Sequence, residues 1–351
     1  NSGFNVEDDG GDLYYLDNIL MDEDVETLIP ATYHYKTLLE VDISPGVTSV
    51  GNGMFWCCYN LEKLSIADTV TEIGHQAFDG NNLKKLNLPD AIKTIGHAAF
   101  AYSKSLKELV LPSNLINMYY AFPICNSLER VDMSKSTKWN SLEDESNPCL
   151  DGSSSFSGNV NLTEVVLPEG ITHIPGGLFE DCTSLKNVNF PSTLTSIGTL
   201  AFQNTALETL ILPSGITSIG PSAFMGNTRL TKVALPNSLT TLGGNVFSGC
   251  TALSAVSIPD NVTEIGMTTF KNCTSLVSVN LNNVKSIGKN AFQGCASLTE
   301  LNTNSAKINK IDAYAFQGCS SLTHLIIQEI DIIGENAFEN CSSLSTVLIN
   351  N

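Results

Sequence analysis

Residues 230–250 carry the pattern from which the rest of the chain can be read. Leu230, Val233 and Leu235 are separated by polar or small residues, and the alternation at Val233-Ala-Leu235 is the period of a strand with one buried face. Pro236 follows and ends strand pairing. Leu239 and Leu242 then return to the interior ahead of Gly243, and Val246-Phe247 precede a short turn ending at Cys250. The same order of parts recurs along the chain: thirteen of fifteen phenylalanines, from Phe55 to Phe338, lie 22–24 residues apart, with one interval of 34. Self-similarity at a fixed period marks a solenoid, and this period is too short for two helices and too long for a hexapeptide coil. Each unit is therefore one strand, a turn and a compact return.

The alignment predicts fourteen strands, the first beginning at Leu38 and the last at Leu344, parallel in one sheet on the inner face of the coil. Short irregular or helical segments return the chain, and the repeat phenylalanines stack into a spine. Glycine follows the second apolar pair in most units, as at Gly74, Gly96, Gly220 and Gly243, where the backbone must be tight. Residues 1–37 break the repeat and read as an acidic N-terminal cap, which a solenoid needs to cover its first coil. Residues 38–351 form the solenoid, with an insertion near 134–155 that adds eleven residues to one unit. No polar cap follows the last strand, so the sequence leaves open a trimmed chain or an end-to-end dimer.

The consensus Leu-x-x-Leu-x-Ile-Pro-x-x-Ile-Thr-x-Ile-Gly-x-x-Ala-Phe-x-x-Cys-x-x-Leu resembles the BspA-like, Treponema-type leucine-rich repeat of bacterial surface proteins, over residues 38–349. The resemblance implies an α/β-type leucine-rich repeat solenoid of about 14 coils, right-handed and without enzymatic activity. It also implies display at the cell surface or outside the cell, an export signal or lipid anchor having been removed. Some members act as adhesins toward host or bacterial partners. No catalytic residues and no cofactor come with the family.

Composition changes the picture in one respect. The net charge of −18 is uneven, because residues 7–42 hold eleven acidic residues against Lys36 alone. That balance argues against nucleic acid and against binding to anionic lipid, and no membrane-inserting segment is present in the sequence. Eight of the ten cysteines sit three residues after a repeat phenylalanine, where other units carry Asn81, Ser103, Asn159, Thr205 and Asn227. Those residue types share smallness and an ability to hydrogen-bond a turn, so the position reads as a structural ladder, not a metal site. Cys149 lies in the insertion, and a bridge to Cys125 is left open. His75 and His97 occupy one place in successive coils, and a pair of surface histidines is the reading preferred over a two-histidine metal site. Asn5-Val-Glu7-Asp-Asp9-Gly10 starts like a calcium loop but has Leu16 where the bidentate glutamate belongs.

Binding is the function class that remains, with protein or glycan as the ligand; the alternative is a spacer solenoid that presents another domain. The central outward positions of the strands, from Asp42 to Leu348, include no aromatic residue and no arginine. Both tryptophans and eight of nine tyrosines precede residue 140. Aromatic residues dominate the energetics of protein interfaces, so Trp56, Tyr59, Tyr102, Tyr119, Tyr120 and Trp139 form the expected recognition group. The competing reading is that these rings cover the N-terminal end of the core.

Overall fold

The computed structural model of the chain describes residues 37–138, 154–303, 307–328 and 330–350. The segment read as an acidic cap lies outside them but for Thr37, as do Trp139, Cys149 and most of the insertion. The described chain winds through thirteen turns, one for each repeat phenylalanine. Thirteen of the fourteen expected strand segments form, beginning with Glu40–Ile43 and Lys63–Ile66 and ending with His324–Gln328 and Thr346–Asn350. They pair in parallel with core residue on core residue: Val41 faces Leu64, Leu109 faces Val131 and Val256 faces Val279.

The structure adds a second strand face to the single sheet read from the sequence. The Ile-Thr-x-Ile part of each unit forms two-residue strands, such as Glu72–Ile73, Thr94–Ile95 and Asn117–Met118, that stack in a parallel ladder of their own. The returns hold no helix among the described residues. Their backbone explains why. Every turn has a left-handed residue two positions before its phenylalanine and another two positions after, for example Gln76 (φ 52°) and Gly80 (φ 75°) around Phe78. Two left-handed residues in five exclude a helical run, since such residues occur singly and not in helices.

The same corner turns the phenylalanine inward and its amide toward the next coil. Phe78 N–H donates to Ala99 O at 2.8 Å, Phe100 to Ala121 at 2.9 Å and Phe202 to Ala223 at 2.8 Å. Successive rings lie parallel, with centroids 5.1 Å apart at Phe100–Phe122 and 6.0 Å at Phe224–Phe247. The eleven inner rings, Phe78 to Phe316, are fully buried. In nine of the described coils the phenylalanine carbonyl accepts from the side chain three positions after the next coil's phenylalanine. The thiols of Cys250, Cys273 and Cys295 donate to Phe224, Phe247 and Phe270 O at 3.1–3.3 Å, and Asn227 Nδ2 reaches Phe202 O at 2.8 Å. Glycine before the corner has a different reason from the tightness expected of it. A Cβ on Gly243 would lie 2.5 Å from Pro221 N, and one on Gly96 2.6 Å from His75 N, so the constraint is close approach between coils.

One departure from the period reshapes the long-strand face. In eleven of the thirteen units the next leucine is the sixth residue after the phenylalanine; from Phe78 to Leu83 and from Phe202 to Leu207 it is the fifth. At the short corners the hydrogen bond to the preceding coil arrives one residue early, as Asn82 N to Leu61 O at 3.0 Å and Ala206 N to Leu185 O at 3.0 Å. The ladder then falls out of step. Asn187–Asn189 ends one set of paired strands and Thr209–Ile211 begins the next, and residues 85–88 form no strand at all. The breaks between Lys232–Ala234 and Ala255–Ser257 and between Glu300–Asn302 and His324–Gln328 follow corners of ordinary length and have no such cause.

Phe224 is fully buried between Phe202 and Phe247. Phe224→Ala should cost about 3–5 kcal/mol and Phe224→Leu clearly less, measured by urea unfolding followed by circular dichroism.

Candidate ligand-binding site

The positions one, two and four places after the phenylalanine hold Trp56, Cys57 and Tyr59 in the first turn, Asp79, Gly80 and Asn82 in the second, and Ala101, Tyr102 and Lys104 in the third, and the three aromatic residues among them reach the surface. Trp56 is 43% exposed, Tyr59 48% and Tyr102 47%. Trp56 and Tyr59 converge on Asp79 and Cys57. The Trp56 side chain hydrogen-bonds the buried Asp79 carboxyl, to which Gln76 also bonds. The Tyr59 hydroxyl donates to Cys57 Sγ at 3.1 Å. Tyr59 lies over Gly80, where an added Cβ would come within 3.1 Å of the ring, and Lys104 Nζ stands 6.0 Å from the ring centroid. Tyr102 occupies the rung directly after Gly80.

Tyr119 and Tyr120 belong to a second group, on the other side of the phenylalanine corner. Asn52, His75, His97 and Tyr119 are successive rungs three places before the phenylalanine. His75 N–H donates to Asn52 Oδ1 at 2.8 Å, and His97 N–H to His75 Nδ1 at 3.0 Å, which fixes that ring nitrogen as an acceptor. The His97 ring lies 5.2 Å from Tyr119 and 5.1 Å from Tyr120, stacked on the latter. Both tyrosines are half-buried. The residues picked from the sequence thus divide into an exposed set, Trp56, Tyr59 and Tyr102, and a half-buried pair clasping His97. Trp139 lies outside the described residues.

Sequence reasoning missed Asp79, Gln76 and Lys104. The available signal was register: Asp79 is the rung after Trp56, so a carboxyl there must sit beneath the indole. Burial raises the Asp79 carboxyl to a pKa of about 6, against the bonds from Trp56 and Gln76 that favour its ionised form. The bond with Cys57, followed by burial, pushes the Tyr59 hydroxyl up to about 12. Burial lowers His97, with His75 adding to the effect. The corner therefore presents two broad ring faces beside one buried carboxyl of raised pKa, with the Lys104 ammonium near the Tyr59 ring.

Among the described residues, no three histidine, cysteine or acidic side chains converge to hold a metal ion. The ladder cysteines among the described residues are separate thiols, and Cys125, Cys182 and the five from Cys250 to Cys341 turn to a carbonyl; burial raises Cys125, Cys250 and Cys295 to about 12. Cys125 is a free thiol bonded to Phe100 O at 3.2 Å, and its suggested partner Cys149 lies outside the described residues.

The family described as BspA type leucine-rich repeat region matches residues 19–144, 152–277 and 245–351, in six copies. A solved leucine-rich repeat protein from Bacteroides ovatus is 31% identical over 90% of this chain and 79% of that one, with a TM-score of 0.77. A leucine-rich cell surface protein from Faecalibacterium prausnitzii is 24% identical over 89% of this chain and 87% of its own, with a TM-score of 0.49. No curated protein matches the sequence.

Two measurements check the electrostatics. A carboxyl whose folded pKa is raised stabilises the fold while protonated and loses that contribution as pH rises through the folded value. Asp79 should therefore make the chain more stable at pH 4 than at pH 7, by up to about 3 kcal/mol. Asp79→Asn should remove that dependence and be the more stable protein at pH 7, read from thermal unfolding at both values. Iodoacetamide at pH 8 should leave Cys125, Cys250 and Cys295 unmodified in the folded chain and label all three in denaturant, as mass spectrometry of the digests would show.

Proposed function

The chain belongs to the BspA-type leucine-rich repeat family, and on that premise we propose that it is a non-enzymatic, adhesin-like interaction protein of the bacterial surface or its surroundings, taking protein or glycan ligands. Leucine-rich repeat proteins generally serve as scaffolds for interaction, and the fold suits that work: a rigid stack holds side chains at fixed spacing along each corner. The observation that carries the reading is the cluster of Trp56, Tyr59 and Tyr102, each more than two-fifths exposed on a surface otherwise rich in Ser, Thr and Asn. Rings of this size bring large contact area at little conformational cost and anchor interfaces disproportionately. They also stack on sugar faces through the same apolar surface. Tyr59 and Trp56 are held by Cys57 and Asp79, so little side-chain freedom is lost on binding.

The test is binding of the purified chain to arrayed host matrix proteins and glycans, beside a Trp56→Ala, Tyr102→Ala variant. The unaltered chain should bind a defined subset, and the variant should bind it at least about tenfold more weakly. Retention of affinity in the variant would remove the aromatic corner from the reading. Failure of the unaltered chain to bind any member would overturn the adhesin-like role in favour of a spacer solenoid.

A further inference from the structure

The aromatic corner spans three consecutive coils with one ring to each. Trp56 stands on the first coil, its side chain bonded to Asp79 of the second; Tyr59 folds from the first coil over Gly80 of the second; Tyr102 follows on the third. The Tyr59 ring fills the place a side chain would take at Gly80, where an added Cβ would come within 3.1 Å of it, and its hydroxyl is fixed by Cys57 Sγ at 3.1 Å. Gly80 and Tyr102 share a rung, so the second and third rings lie in line along the coil axis. The next place on that rung is Ile124, and the row of rings ends there. Beneath the corner the core rings of Phe55, Phe78 and Phe100 are 5.2 and 5.3 Å apart, which gives the step from coil to coil.

The polar groups around the rings are few and nearly uncharged. Of the residues one to five places after the phenylalanine in the first four coils, only Asp79 and Lys104 are charged, and Asp79 is buried. Lys104 reaches back toward the second coil, its Nζ standing 6.0 Å from the Tyr59 ring centroid. Asn60 and Asn126 place exposed amides beside the rings. The corner thus joins three ring faces to an ammonium and two amides, with no exposed carboxylate among these positions. The net charge of −18 disfavours a polyanionic ligand here as elsewhere on the chain.

We infer that this corner is the binding site for a linear, neutral, β-1,4-linked polysaccharide, laid along the coil axis with one sugar to each coil. The inference rests on the reading of the corner as the recognition surface and narrows it from protein or glycan to one class of glycan. A β-1,4-linked chain of pyranoses is an extended ribbon that advances by about the coil step at each sugar. Successive sugars are turned over, yet both faces of a pyranose with mostly equatorial hydroxyls are lined by C–H groups, so each sugar can stack on the ring of its coil. The hydroxyls at the edges of the ribbon meet the Lys104 ammonium and the asparagine amides, which together donate and accept. A single terminal sugar would cover one ring and leave the other two unused.

Isothermal titration calorimetry of the full chain tests it, with β-1,4-linked oligomers of glucose, mannose and N-acetylglucosamine containing two, three and six sugars. Maltohexaose, linked α-1,4, and a β-1,4-linked mannuronate hexamer are the comparison ligands. At least one neutral β-1,4 series should bind, its affinity rising about tenfold from two sugars to three and clearly less from three to six, because the fourth coil carries Ile124 in place of a ring. In Tyr102→Ala, an exposed change that leaves the core intact, the two-sugar and three-sugar oligomers should bind alike. The inference is overturned if no neutral β-1,4 series binds, if the gain from two to three sugars is missing or survives in Tyr102→Ala, or if maltohexaose or the mannuronate hexamer binds as tightly. A matrix-protein ligand lost in the Trp56→Ala, Tyr102→Ala variant, with no oligosaccharide bound by the unaltered chain, would overturn the glycan inference and keep the corner as a binding surface. Absence of both kinds of binding would remove the two together.

Discussion

Everything in this solenoid hangs on the phenylalanine corner. Two left-handed residues set the ring inward, the amide reaches forward to the next coil, and the carbonyl receives a hydrogen bond from the next coil's cysteine or asparagine. One residue thus fixes three couplings between neighbouring turns. Because the ring is fully buried among parallel rings, no coil can shift sideways without losing both stacking and hydrogen bonds. The left-handed sites are filled by Gln76, Ala98, Leu200 and Thr268 as readily as by glycine. Such residues adopt that conformation only when the surroundings over-determine it, and the ladder on both sides supplies the surroundings.

The rigid corner frees the other positions. What changes from coil to coil lies outside the ring: Trp56, Asp79 and Ala101 succeed one another on one rung, and Cys57, Gly80 and Tyr102 on the next. A ladder of this kind places chemically unrelated side chains side by side at coil spacing without asking them to pack. That is how a half-hidden carboxyl comes to lie under an indole and a histidine comes between another histidine and two tyrosines. The strand face follows the opposite logic, since its pairing depends on length between anchors. Removing one residue after Phe78 leaves Leu83 in the core yet costs the backbone its partners.

Much of this was legible in the chain. The period of the phenylalanines, the alternation before Pro236 and the exchange of Cys with Asn, Ser and Thr each state a physical requirement that repeats, so the solenoid, its parallel strands and its polar ladder follow from spacing. The exposed aromatic residues were legible as an unusual composition near one end. Their division was not: Trp56 and Tyr102 differ from Tyr119 and Tyr120 only by the side of the corner on which they fall, and the corner's handed geometry has no sequence signature when Gln, Leu or Thr adopts it.

The sequence by itself determined the repeat, its register and which side chains share a rung, because a fixed period in one dimension becomes neighbourhood in the coil. Only the tertiary structure decided the second strand face, the inter-coil contact that demands glycine at Gly243, the burial of Asp79 and the loss of strand pairing at residues 85–88. Each depends on how closely one coil's backbone approaches the next, a distance set jointly by both coils and written in neither.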